Sequence, residues 1–241
     1  MIEGKSLDKI SKALHINKKT AFDWRHKILS SLGQDSGNEM RGIVESDETF
    51  FEESEKGNRH LNRNGRKRGS SSPYQKKTRG ISSNKAAVIA TTDRSGAMNL
   101  CVATMGRIRK DDIMMSIEKP LPSNSILCTD GHVSYKGFAI ENKLTHITLR
   151  ADLNQHVKHG VYHIQNVNSI HNRLKKWIDN TFWGVSTKYL QNYLGWFRLN
   201  EKLKNSTTYL KNFIFNTVQN TDTLKRYNYI DVRYQWLLAT Q

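Results

Sequence analysis

Cysteine is nearly absent. Cys101 and Cys128 are the two in 241 residues, each inside an apolar run and neither in CxxC spacing. That excludes a disulfide framework and argues against a zinc site within the chain; both read as small buried hydrophobes. Long apolar runs are missing as well, so nothing suggests a membrane-spanning helix. The residues after Met1 lack the basic-then-apolar pattern of a secretory signal, which makes a cytoplasmic location the default expectation. Acids are scarce relative to bases: 22 Asp+Glu face 38 Lys+Arg, for a net charge of +16 and a pI near 9.8. Such an excess points to a polyanionic partner, most often nucleic acid. No internal repeat is present.

What the chain does have is core-forming material, with 37% hydrophobic residues including five Trp, nine Tyr and eight Phe. Its length allows one sizeable domain and a small appendage. The first residues read as a helix-turn-helix. Ser6 caps a helix over 7–14, His15-Ile16-Asn17 connects, and Asn17 caps a second helix over 18–29. Ala21, Phe22, Ile28 and Leu29 are expected to pack, and Lys18, Lys19, Thr20 and Arg25 to project as a recognition helix would. The plain alternative is a helical hairpin whose lysines merely solvate it. Between Lys56 and Gly80 stand nine Lys/Arg, among them Arg66, Lys67, Arg68, Lys76, Lys77 and Arg79, and no acid. This basic loop suits phosphates, or else is a solubilising insertion.

Strands are expected at 43–51, 85–92, 98–104, 125–131 and 146–149. Asp93-Arg94-Ser95-Gly96 should turn the second into the third as a hairpin. Helices are expected at 111–118, 134–142, 164–180 and 187–197, with patchy helix after that. This order fits an α/β fold, a mixed sheet with helices on its faces.

The helix from His163 carries apolar residues at 164, 167, 170, 174, 177 and 178, one buried face. Asn168 and Lys175, seven residues apart, return to within roughly 20° of each other around the axis. They form a polar stripe, with His171 and Asn172 close to it. Alone, that is an amphipathic helix with a solvated edge. Asp47 lies in the first strand and Asp130 ends the fourth, where α/β sheets gather their sites. Alone, Asp130 is a turn residue before glycine and Asp47 a strand-face acid. Together, two carboxylates and an amide oxygen make a hard-oxygen set suited to Mg2+ or Mn2+.

Val44-Glu45-Ser46-Asp47-Glu48-Thr49, Thr129-Asp130-Gly131-His132 with Tyr135, and His163 to Asn168 through Lys175 resemble the catalytic blocks of a bacterial insertion-sequence transposase family. It is the branch of the DDE superfamily in which Asn stands for the third acid. Arg79-Gly80-Ile81-Ser82, Gly184 to Leu194 and the helix-turn-helix at 20–28 are similar to further blocks, so the resemblance spans roughly residues 1 to 200. It implies a ribonuclease H-like core that cuts DNA at element ends and joins the 3′-OH to target DNA, working as a homo-oligomer on DNA. It further implies that Asp47, Asp130 and Asn168 hold two Mg2+ or Mn2+ ions and that Lys175 contacts DNA near the scissile phosphate. Because Asn is neutral, Glu45, Glu48 or Asp152 is expected to assist. Members usually carry an N-terminal zinc ribbon with paired CxxC motifs, whereas this sequence begins at the helix-turn-helix.

On these expectations the chain divides into a helix-turn-helix segment (1–33), a linker (34–41), a ribonuclease H-like catalytic domain (42–203, with the basic loop 56–80) and a partly helical tail (204–241). Two alternatives stand beside an active transposase: a DNA-binding regulator without catalysis, and a nuclease that cleaves without joining.

Overall fold

The structure, a computed structural model, describes residues 4–32, 39–61, 81–117, 121–219 and 221–240. It opens with two helices, α1 (Leu7–Leu14) and α2 (Lys18–Leu32). Both caps form as their residue types dictate: Ser6 Oγ accepts from the Lys9 amide at 3.3 Å, and Asn17 Oδ1 from the Thr20 amide at 2.8 Å. His15, in the left-handed region at φ 52°, stops α1.

Five strands follow: β1 (Ile43–Glu52), β2 (Lys85–Asp93), β3 (Met98–Met105), β4 (Ile126–Thr129) and β5 (Thr145–Thr148). They form one sheet in the order β3-β2-β1-β4-β5. β1 to β3 are antiparallel neighbours, whereas β4 and β5 run parallel to β1. The mixed pattern follows from the connections. The tight turn at Asp93–Ala97 allows only an antiparallel return, and its Asp93 carboxylate accepts from the amides of Ser95 and Ala97 at 2.9 and 3.0 Å. β4 and β5 are instead reached through the helices α3 (Lys110–Ser116) and α4 (Val133–Glu141). This is an α/β architecture, a mixed sheet with helices packed on its faces.

Alternation along β2 feeds two cores. Ala87 and Ile89 join Val44, Ile113, Leu127, Tyr135 and Phe138 on the α3/α4 face. Ala86, Val88 and Ala90 meet Val167, Ile170, Leu174 and Ile178 of α5 (Gln165–Phe182) and Leu190, Leu194 and Phe197 of α6 (Leu190–Leu203). A third cluster joins Leu29 and Leu32 of α2 to Tyr193, Trp196, Leu199 and Leu203 of α6 and Phe213 of α7 (Tyr209–Val218). The chain ends in α8 (Thr223–Ala239), whose Leu237 reaches the α5/α6 core.

Two expectations about α2 are corrected. Arg25 does not project outward; it is buried, its Nη2 donates to the Lys5 carbonyl at 2.7 Å, and its guanidinium lies 5.9 Å from the Trp196 ring centre. The reason is helical spacing: position 25 is four residues from both Ala21 and Leu29, which are buried. Ile28, expected to pack, is exposed on the other side.

Candidate active site

The last paired residues of β1 and β4 are Glu45 and Cys128. Carried two residues further, that parallel register sets Asp47 level with Asp130, across an inter-strand spacing of about 4.8 Å. β4 ends at Thr129, so this side of β1 is uncovered just where the two acids stand. The chain escapes there through Gly131 at φ 93°, where an added Cβ would sit 3.5 Å from Thr148 Cβ. Asp130 is exposed, and its Oδ1 accepts from the His132 amide at 3.0 Å.

Asp47 faces α5. Odd-numbered side chains of β1 turn that way, as the Glu45 contact with the Val167 amide shows, whereas Ser46 reaches Tyr135 of α4 on the other face. His171 of α5 is buried, and its Nδ1 lies 3.7 Å from Asp47 Oδ2. Asn168 and Lys175 stand three residues before and four after His171 on the same helix face, and both are exposed. The structure therefore brings Asp47, Asp130 and the Asn168/His171/Lys175 face of α5 to one place.

The electrostatics are those of acids short of a cation. Burial, reinforced by Glu48 and Asp130, pushes Asp47 up to about 8 even though Lys175 opposes the rise. Burial and then Asp130 push Glu48 up to about 7, and Glu48 Oε2 is buried without a hydrogen-bond partner among the described residues. His171 is lowered to about 4 by burial and then by Lys175, so it is neutral at pH 7. Two carboxylates and an amide oxygen are hard donors, and a divalent cation would relieve the mutual repulsion that raises Asp47. The residues thus fit such an ion by donor chemistry. Among the described residues no group of three or more His, Cys, Asp or Glu is arranged to hold a metal; an Asp/Asp/Asn set contains only two residues of those types.

The other acids divide sharply. Glu45 is fully buried and committed: it accepts from Arg94 Nη1, from Asn166 Nδ2 at 2.9 Å and from the Val167 amide at 3.0 Å. Asp152 is taken by Arg150, whose Nε is 2.8 Å from Oδ1. Of the three acids expected to assist Asn168, Glu48 is the one that no arginine or lysine holds among the described residues. Sequence reasoning named Glu45 as an acid that would assist Asn168 and His171 as a neighbour of the polar stripe, but did not foresee that both are buried. The signal for both was spacing: Glu45 shares a strand face with Asp47, and His171 follows Val167 by one turn.

Of the residues expected to touch DNA, Lys18 and Lys19 are exposed and Thr20 is half-buried. Arg25 is internal, as described. Arg66, Lys67, Arg68, Lys76, Lys77 and Arg79 lie outside the described residues. No helix among the described residues is long and apolar enough to cross a membrane.

With this geometry in view, comparison with known proteins gives the class. The ISXO2-like transposase domain family matches residues 39–200, well over half of the chain. The chain belongs to that family, and so is an insertion-sequence DNA transposase of the DDE superfamily. Among solved structures, a pre-cleavage Mos1 transpososome aligns at 9% identity over 88% of this chain and 75% of that one, with a TM-score of 0.28. At that level the likeness carries no argument. No curated protein matches the sequence.

Proposed function

We propose that this transposase cleaves the ends of its insertion sequence and joins the freed 3′-OH to target DNA by metal-dependent phosphoryl transfer. Asp47, Asp130 and the Asn168 amide oxygen would hold two Mg2+ or Mn2+ ions, which when bound supply Lewis-acid stabilisation of the attacking and leaving oxygens. The Lys175 ammonium, on the same helix face as Asn168, pairs with a phosphate next to the scissile bond. Water breaks the first phosphodiester and leaves a 3′-OH, which then attacks the target phosphate in line; no covalent bond to the protein forms. Much of the catalytic gain comes from holding the reacting groups in place. Lys18, Lys19 and Thr20 and the basic segment 56–80 bind the DNA, and a homo-oligomer brings two ends together.

One observation carries this reading: the β1–β4 pairing, which extended two residues past Glu45 and Cys128 would set Asp47 level with Asp130, with Asp47 3.7 Å from His171 on the α5 face that also bears Asn168 and Lys175. The test is incubation of the protein with duplexes carrying the terminal inverted repeats of its element, with and without Mg2+. Wild type should nick and join; Asp47→Ala, Asp130→Ala and Asn168→Ala should bind DNA but not cut it. Cleavage that survives Asp47→Ala and Asp130→Ala removes the site. Binding without cleavage in wild type makes the chain a regulator, and cleavage without joining makes it a nuclease.

A further inference from the structure

α5 begins without a side-chain cap of its own. Its N-cap residue is Ile164, which has no polar atom to offer the first-turn amides. His163 Nδ1 accepts from the Gln165 amide at 3.3 Å, and the rest of the cap comes from another element. Glu45 Oε2 accepts from the Val167 amide at 3.0 Å across 122 residues of sequence, and Oε1 accepts from Asn166 Nδ2 at 2.9 Å. Arg94 donates through Nη1 to the same carboxylate and through Nη2 to the Val161 carbonyl at 3.0 Å, which ties down the chain leading into the helix.

The other end of α5 is held from the same side. Lys56, four residues past the end of β1, points its Nζ at the carbonyls of Phe182 and Gly184, at 2.5 and 2.9 Å. A carboxylate at the helix N-terminus and an ammonium at its C-terminus both complement the helix dipole. Both belong to β1 or its immediate continuation, the strand that carries Asp47. Glu45 and Asp47 share one strand face about 7 Å apart, and Val167 is the direct neighbour of Asn168.

We propose that Glu45 is a positioning residue, which with Arg94 pins the first turn of α5 to β1 and so fixes Asn168 relative to Asp47. This rests on the metal-dependent reading given above. A neutral amide attracts a cation less than a carboxylate does, so its contribution depends more on being held in place. Glu45 touches neither DNA nor metal in this role.

The test is Glu45→Gln, which keeps the shape but loses the charge that holds Arg94, alongside Lys56→Met, an exposed change at the opposite end of the helix. Three readouts apply: amide hydrogen exchange of the metal-free protein, DNA affinity, and single-turnover cleavage at saturating protein. In Glu45→Gln, exchange at Val167 and Asn168 should rise about tenfold or more, DNA affinity should stay within about twofold, and cleavage should fall about 10- to 100-fold. Partial rescue by Mn2+ in place of Mg2+, which demands stricter coordination geometry, is expected. Lys56→Met should raise exchange at the C-terminal turn of α5 and leave Val167 unchanged. Unaltered exchange at Val167 in Glu45→Gln overturns the clamp. Raised exchange with undiminished cleavage overturns its positioning role, as does a parallel loss of DNA binding and cleavage. If Glu45→Gln does not fold, Asn166→Ala, which removes one of the carboxylate's partners, must show the same raised exchange or the clamp is overturned. Absence of cleavage in wild type sinks the transposition reading instead, and the positioning role with it, while hydrogen exchange still reports whether the clamp exists.

Discussion

His171 Nδ1 lies 3.7 Å from Asp47 Oδ2, and the ring's other nitrogen, Nε2, is buried with no hydrogen-bond partner among the described residues. The ring's hydrogen bond to the Asp47 backbone ties α5 to β1. An unpaired buried nitrogen costs about 1–3 kcal/mol. His171→Leu, close to it in size, is expected to melt at the same temperature as wild type or higher, measured by thermal unfolding of the metal-free protein. A large fall in Tm would mean that Nε2 has a partner after all.

The acids of the site make stability depend on pH in a definite direction. Asp47 is raised to about 8 and Glu48 to about 7, so between pH 4.5 and 7 the native state holds protons that the unfolded chain releases. These groups make stability fall as pH rises. Two histidines act oppositely: burial lowers His171 to about 4 and His26 to about 3, so in the same region the unfolded chain holds more protons. The contributions roughly cancel between about pH 4.5 and 6.5. Above that window the acids dominate, and below it the histidines do. The Tm of the metal-free protein should be flat there and fall on both sides. Asp47→Asn should raise Tm at pH 8 by several degrees, on the order of 1–2 kcal/mol, with the gain shrinking toward pH 6. On the proposed metal-dependent reading, Mg2+ should remove the alkaline fall by binding the deprotonated carboxylates. A Tm that keeps rising to pH 8 without metal contradicts the burial of these acids.

Helix α2 separates two kinds of basic residue. Lys18 and Lys19 are exposed, and their ion pairs with Asp8 and Asp23 are surface pairs of little energetic weight. Arg25 fills the interface with Trp196. Lys18→Ala and Lys19→Ala should leave Tm unchanged, weaken DNA binding, and each reduce the salt slope by about one. Arg25→Met should lower stability by about 1–3 kcal/mol and leave the salt slope alone. Titrations at several salt concentrations alongside thermal melts distinguish these outcomes.

The elements were readable where the signal was local. The apolar spacing of α5, the caps at Ser6 and Asn17, and the Asp93–Gly96 turn each depend on residues a few positions apart, and each formed as the residue types require. What was not readable involved partners distant in sequence. Asp47 and Asp130 become neighbours through a strand pairing that bridges more than eighty residues, and no local pattern fixes that register. Glu45 was expected to help Asn168 hold metal, and its role at the start of α5 was not readable because its partner amide lies 122 residues away. Arg25 was misjudged because its charge outweighed its position: by helical phase it belongs with Ala21 and Leu29.

Gly131 offers a test of the site's backbone. Its φ of 93° lies where side chains are strained, and an added Cβ would sit 3.5 Å from Thr148 Cβ on β5, an ordinary contact. The strain is therefore conformational more than steric. It falls on the residue that turns the chain away immediately after Asp130. Gly131→Ala should destabilise the protein by more than about 1 kcal/mol, and relaxing that strain would move the Asp130 carboxylate away from its level with Asp47. Cleavage should therefore fall further than the lost stability accounts for, when measured at a temperature where the variant is fully folded. Gly160→Ala is the control, since that glycine shares the positive φ, at 72°, with no atom within 4 Å of the added Cβ. It should lose comparable stability and keep full cleavage. Equal loss of cleavage in both variants would mean that the turn after β4 has no special part in holding Asp130.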